Sequence, residues 1–103
     1  MGGAVRLPSM LNIGGLAVKV ELISGLAADR DHFGEYSQMR QTISLDDSMP
    51  EDHREVTLLH ELIEAVKSIY ELDIPHEVIP VLATALWQTL RDSGLGFRPC
   101  PTS

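Results

Sequence analysis

His60, Glu61 and Glu64 are the residues whose types and spacing could do chemistry in this chain. They lie in Thr57-Leu58-Leu59-His60-Glu61-Leu62-Ile63-Glu64-Ala65-Val66, an H-E-x-x-E segment. Residues four apart on a helix leave the same face, so His60 and Glu64 would stand one turn apart. That is the spacing of the two metal-binding histidines in an H-E-x-x-H zinc helix, where the intervening Glu is the general base. Here Glu61 keeps the base position, and a carboxylate, Glu64, stands where the second imidazole would be.

A catalytic zinc site takes three protein ligands and leaves one position open for water. The third must come from another element. His76 and Glu77 compete for it, both at the expected start of a following helix. A set of His60, Glu64 and His76 has two imidazoles and one carboxylate, as in thermolysin-type zinc enzymes. A set of His60, Glu64 and Glu77 has two carboxylates, which neutralise Zn²⁺ and acidify its water less. The oxygen-rich set also shifts preference toward Mn²⁺ or Mg²⁺. Gln88 is within reach in principle but is a poor zinc ligand. His53 lies two turns before His60 on nearly the same face. In a reading without metal, Glu61 and Glu64 form a solvated acidic face, with Glu64 paired to Lys67 or Ser68.

The elements that must position these residues follow from periodicity. Residues 1–15 are expected as a flexible arm with a short extended piece at Met10-Leu11-Asn12-Ile13, ended by Gly14-Gly15. Val18, Val20 and Leu22 alternate with Lys19 and Glu21, which predicts a strand with one buried face. Ser24 to His32 is polar and reads as a loop, with His32 solvated. Phe33–Ser37 and Gln41–Leu45 predict a hairpin turning at Gln38, Met39 and Arg40. Ser48 followed by Glu51 has the form of a capping box, and Pro50 suits a first turn.

The first helix is expected to run to about Glu71, with Leu59, Leu62, Ile63, Val66, Ile69 and Tyr70 as its core stripe. Leu72-Asp73-Ile74-Pro75 breaks it. A second helix runs from His76 or Glu77 to Asp92, with Val78, Val81, Leu82, Ala85, Leu86 and Leu90 on its apolar side. Trp87 and Tyr70 are expected as core or interface aromatics. Gly94 stops the helix, and residues 94–103 form an irregular tail. The order predicts an α+β fold: a small antiparallel three-stranded sheet followed by two helices, in one domain over residues 16–93.

Composition narrows the function classes. At 103 residues the chain is one domain with a modest core. Fifteen acidic against eight basic residues give a net charge of −7, which opposes binding to a nucleic-acid backbone. No run is long and apolar enough for a membrane span, and the first residues lack a signal-peptide pattern. The one cysteine, Cys100, excludes an intrachain disulfide and fits a cytoplasmic setting. No histidine or acid lies near it in sequence to make it a catalytic thiol. Phosphate loops and a serine nucleophile elbow are absent.

Over residues 16 to 93 the chain resembles the small zincin-like metallopeptidases encoded by phages and prophages, related to the minigluzincins and the ImmA/IrrE-type peptidases. Three stretches carry the resemblance: Gln41-Thr42-Ile43-Ser44-Leu45-Asp46, Thr57-Leu58-Leu59-His60-Glu61, and His76-Glu77-Val78 continuing through Leu82-Ala83 to Leu86-Trp87-Gln88-Thr89-Leu90. The resemblance implies a zincin-like fold, a bound metal ion with zinc first, His60 as ligand, Glu61 as catalytic base and Glu77 as the aligned third ligand. Glu64 departs from the family pattern. A peptide or protein is the expected partner. The rival expectation is an inactive descendant of the fold that serves as a protein-interaction or assembly module.

Overall fold

The computed structural model describes residues 7–26 and 33–95. The expectations for the first residues of the arm, His32, the tail and Cys100 lie outside them. Four strands are described: β1 (Met10–Ile13), β2 (Leu16–Ile23), β3 (Gly34–Ser37) and β4 (Thr42–Asp46). They are followed by α1 (Glu51–Ile69), a short 3₁₀ turn (His76–Val78) and α2 (Ile79–Asp92).

The sheet order is β1-β2-β4-β3. β1 pairs antiparallel with β2, and β3 antiparallel with β4. The central pair, β2 with β4, is parallel. The expected three-stranded antiparallel sheet is therefore corrected twice, to four strands and to a mixed sheet. The fourth strand is the extended piece at Met10–Ile13, which closes on β2 through Gly14 and Gly15. Both glycines have positive φ, 58° and 84°, the combination that a two-residue hairpin turn needs and that side chains oppose. The parallel pairing arises because β3 takes the outer edge, leaving β4 between β3 and β2. β4 is buried along its whole length, Thr42, Ser44 and Asp46 included, as befits a strand with neighbours on both sides.

One face of the sheet packs on α1. Val18, Val20, Ile43 and Leu45 meet Leu58 and Ala65, with Ile13 and Met49 closing the cluster. Each large aliphatic side chain buried there contributes roughly 1.5–3 kcal/mol. Of the expected α1 stripe, Leu59 is buried, Leu62, Val66 and Ile69 are half-buried against the core, and Tyr70 is exposed. Leu58 and Ala65 are the core residues that the stripe left out.

The expected capping box does not form. Pro50 is the N-cap, and the Ser48 hydroxyl donates instead to Asp46 Oδ1 at 2.5 Å. The Arg54 guanidinium ties the helix start to the preceding loop through the carbonyls of Met49 and Asp47, each at 3.2 Å. At the other end, Leu72 N–H bonds Lys67 O and Glu71 N–H bonds Ser68 O, with Glu71 at φ 56°. This is a Schellman motif whose left-handed position holds Glu rather than the usual Gly. α2 ends the same way with Gly94 at φ 75°, as its sequence predicts.

α2 does not bury the face its periodicity suggested. Ile79 and Ala83 are buried and Trp87 and Leu90 half-buried, whereas Val78, Val81, Leu82, Ala85 and Leu86 are exposed. Small Ala83 allows a close approach to α1. One turn on, the Trp87 indole N–H donates to Glu55 Oε1 at 2.7 Å. Glu55, on α1, is only 2% exposed. This part-buried hydrogen bond joins the two helices and helps to hold this side of α2 against α1.

Candidate active site

α1 carries His60, Glu61 and Glu64 along the side next to β3. A groove of about 780 Å³ runs between this side and the strand. Gly34, Tyr36 and Gln38 form one wall, and His60, Glu61 and Glu64 the other. Gly34 lets the two come together: a Cβ there would lie 3.2 Å from Glu61 Cγ and 2.7 Å from Thr57 Cγ2.

His76 closes the end of the groove. α1 rises roughly 10 Å from Glu64 to Glu71 at 1.5 Å per residue. The extended stretch from Leu72 to Pro75 can span roughly 13 Å, enough to bring the chain back over that distance. The 3₁₀ turn then sets His76 against Glu64, with Nδ1 3.2 Å from Glu64 Oε2. The same oxygen lies 3.7 Å from His60 Nε2. One carboxylate therefore stands between two imidazoles, one from its own helix and one from the returning chain.

The histidine pair displaces the expected contacts of Glu64 with Lys67 or Ser68, although both of these also line the groove. Glu77 is exposed and is not among the groove-lining residues. His53 is exposed at the start of α1, also away from the groove. Gln88 lies in a separate surface depression with Val81 and Ala85. Sequence reasoning missed Gly34, Tyr36, Gln38 and Leu72. The signal available was the hairpin itself, whose outer strand had to lie somewhere beside the helix.

The fit to a metal ion can be tested on these distances. Ligands at 2.0–2.2 Å around a tetrahedral zinc lie about 3.3–3.6 Å from one another, and the two Glu64 contacts are close to that edge. As placed, however, no three His, Cys, Asp or Glu side chains among the described residues form a group that could hold a metal ion. The His76 side chain is 76% exposed, so its ring has room to turn without disturbing packing. The groove is rich in carboxylates, with Glu35, Glu61, Glu64 and Glu71 against Lys67. That balance favours a cationic guest.

No protein-family model, curated protein or solved structure matches this chain. No helix among the described residues is long and apolar enough to cross a membrane.

Proposed function

We propose that this chain is a small metal-dependent peptide hydrolase of the zincin-like phage or prophage type, with H-E-x-x-E in place of H-E-x-x-H. The observation that carries the reading is the Glu64 carboxylate poised between His60 and His76 at one end of a groove. His60, Glu64 and His76, which form no three-ligand group as placed, would have to close on the ion, the exposed His76 ring turning inward; zinc comes first, with manganese or magnesium as alternatives. Glu77, exposed and outside the groove lining, is the alternative third ligand. When bound, the metal would polarise a carbonyl and lower the pKa of water toward neutrality.

The chain's own residues supply the rest. Glu61 adjoins His60 on α1 and lines the groove, where its carboxylate would take a proton from the attacking water and pass it to the leaving amine. β3 ends the described sheet on the side of the groove. A strand edge offers backbone groups to an extended peptide, which makes a peptide the fitting substrate. Nucleic acid and membrane surfaces are poor partners for a chain of net charge −7.

Metal content of protein purified without chelators or a metal-affinity tag tests the reading, alongside His60→Ala. Near-stoichiometric zinc or manganese, lost in the variant, is expected, as is peptide cleavage that Glu61→Gln abolishes while the fold persists. No uptake from excess zinc or manganese would overturn the reading. The second reading is a non-catalytic peptide-binding module, favoured by the two-imidazole contact that stops short of a three-ligand group. Peptide binding that is indifferent to Glu61→Gln would select it.

A further inference from the structure

His60 and Glu61 face more than one depression. A second one, of about 380 Å³, shares Gly34, His60 and Glu61 with the groove. It lies between the middle of α1 and the first turns of α2, and its other walls are Phe33, Val56, Thr57, Pro80, Ala83 and Thr84. None of those six is charged. The groove, by contrast, is walled by Glu35, Gln38, Lys67 and Glu71. We propose that this recess receives an apolar side chain of the peptide, that of a residue flanking the cleaved bond, and that α2 thereby sets the substrate preference.

The occupant follows from position and chemistry, and the peptide itself rests on the hydrolase reading. Successive side chains of an extended chain point to opposite faces about 3.3 Å apart. A peptide whose reacting carbonyl sits at His60 and Glu61 therefore places a neighbouring side chain within reach of their shared wall. An acidic side chain there would lose water, face Glu61 and find only the hydroxyls of Thr57 and Thr84 among the six residues. A leucine or phenylalanine side chain would meet Phe33, Val56 and Pro80, and the recess is in the size range of small-ligand pockets. Ala83 is buried and Thr84 exposed, so the recess can be filled from its rim at Thr84 without disturbing the helix packing.

The test is a titration of the isotopically labelled full chain with N-acetyl-leucine-N-methylamide, and with the alanine and glutamate equivalents, followed by backbone amide shifts. The leucine probe should bind roughly tenfold more tightly than the alanine probe, with shifts at Phe33, Val56 and Thr84. Thr84→Phe, checked for its fold in the same spectra, should abolish them. Equal binding of the three probes, or shifts that survive Thr84→Phe, would overturn the proposal.

A random-peptide library with the zinc-loaded protein separates this proposal from the hydrolase reading. Cuts flanked by Leu, Phe or Met, changing to Ala or Gly in Thr84→Phe, are expected. Cleavage without side-chain preference overturns the recess and leaves the hydrolase. Leucine-specific shifts without any cleavage uphold the recess and overturn the hydrolase.

Discussion

Gly34→Ala puts the junction of strand and helix to a quantitative test. The added Cβ would lie 2.7 Å from Thr57 Cγ2, and 3.2 Å from both Glu61 Cγ and Leu45 Cδ2. Carbon atoms settle at about 3.5–4.0 Å, so the nearest contact is about 1 Å too close. Leu45 is fully buried and Thr57 sits mid-helix, so neither can withdraw easily. Overpacking of this kind costs about 1–3 kcal/mol. Gly34 is not among the positive-φ glycines, so alanine also restricts the unfolded chain and returns about 0.4–1 kcal/mol. From the middle of each range, about 2 less about 0.7, the expected net loss is about 1.3 kcal/mol, and each kcal/mol lowers Tm by roughly 4–8 °C.

Thr57→Ser supplies the control. It removes the methyl nearest the new Cβ and keeps the hydroxyl that contacts Met49 Sδ at 3.5 Å. In urea unfolding followed by circular dichroism, the double variant should recover about 1 kcal/mol relative to the additive sum. A Gly34→Ala protein as stable as the parent, or a double variant that is merely additive, would refute the close-approach argument.

Other parts of the fold give sharper contrasts. Trp87→Phe keeps an aromatic side chain, though a smaller one, and removes the indole donor to buried Glu55, so it should cost about 1.5–3 kcal/mol in urea unfolding. A loss below about 0.5 kcal/mol would mean that the bond does not clamp the helices. Glu71→Gly should raise stability by about 0.5–1 kcal/mol, because glycine accepts the left-handed cap without the Cβ penalty; a fall in Tm would reject the Schellman assignment. Leu58→Ala should cost about 2–5 kcal/mol, and Val81→Ser, at a residue 66% exposed, less than about 0.5 kcal/mol. Comparable losses at the two positions would mean that the apolar face of α2 is covered in solution.

Local rules held at some single elements and failed at others: the capping box at Ser48 does not form, and Leu22 in the β2 alternation is exposed. Val18 and Val20 announce the buried face of β2, and Gly94 announces the end of α2. The spacing of His60 and Glu64 places both on one helix side, and both line the groove. Choices that needed two elements were not legible. α2 is apolar on two sides, and the side that packs carries buried Ile79, the small Ala83 and the bond from Trp87 to Glu55. The selection of His76 over Glu77 at the groove turns on a single residue step in a 3₁₀ turn, which periodicity does not resolve. The parallel partnership of β2 and β4 leaves no local trace, except that Thr42, Ser44 and Asp46 are polar residues buried in a central strand.

That parallel partnership also governs how the chain can assemble. β1 with β2 and β3 with β4 are hairpins closed by short turns, and such units form in about 1–10 μs. The seam between them pairs Lys19 with Thr42 and Ile23 with Asp46, residues far apart along the chain. No turn can template that seam, so the loop entropy must be lost before its contacts repay it. On these grounds the two hairpins are expected to form first, and their lateral docking, with α1 laid across the joint, to be the slow step. Ile43 and Leu58, which meet under the seam, are where substitutions should retard folding. Leu11, out on β1, should chiefly quicken unfolding.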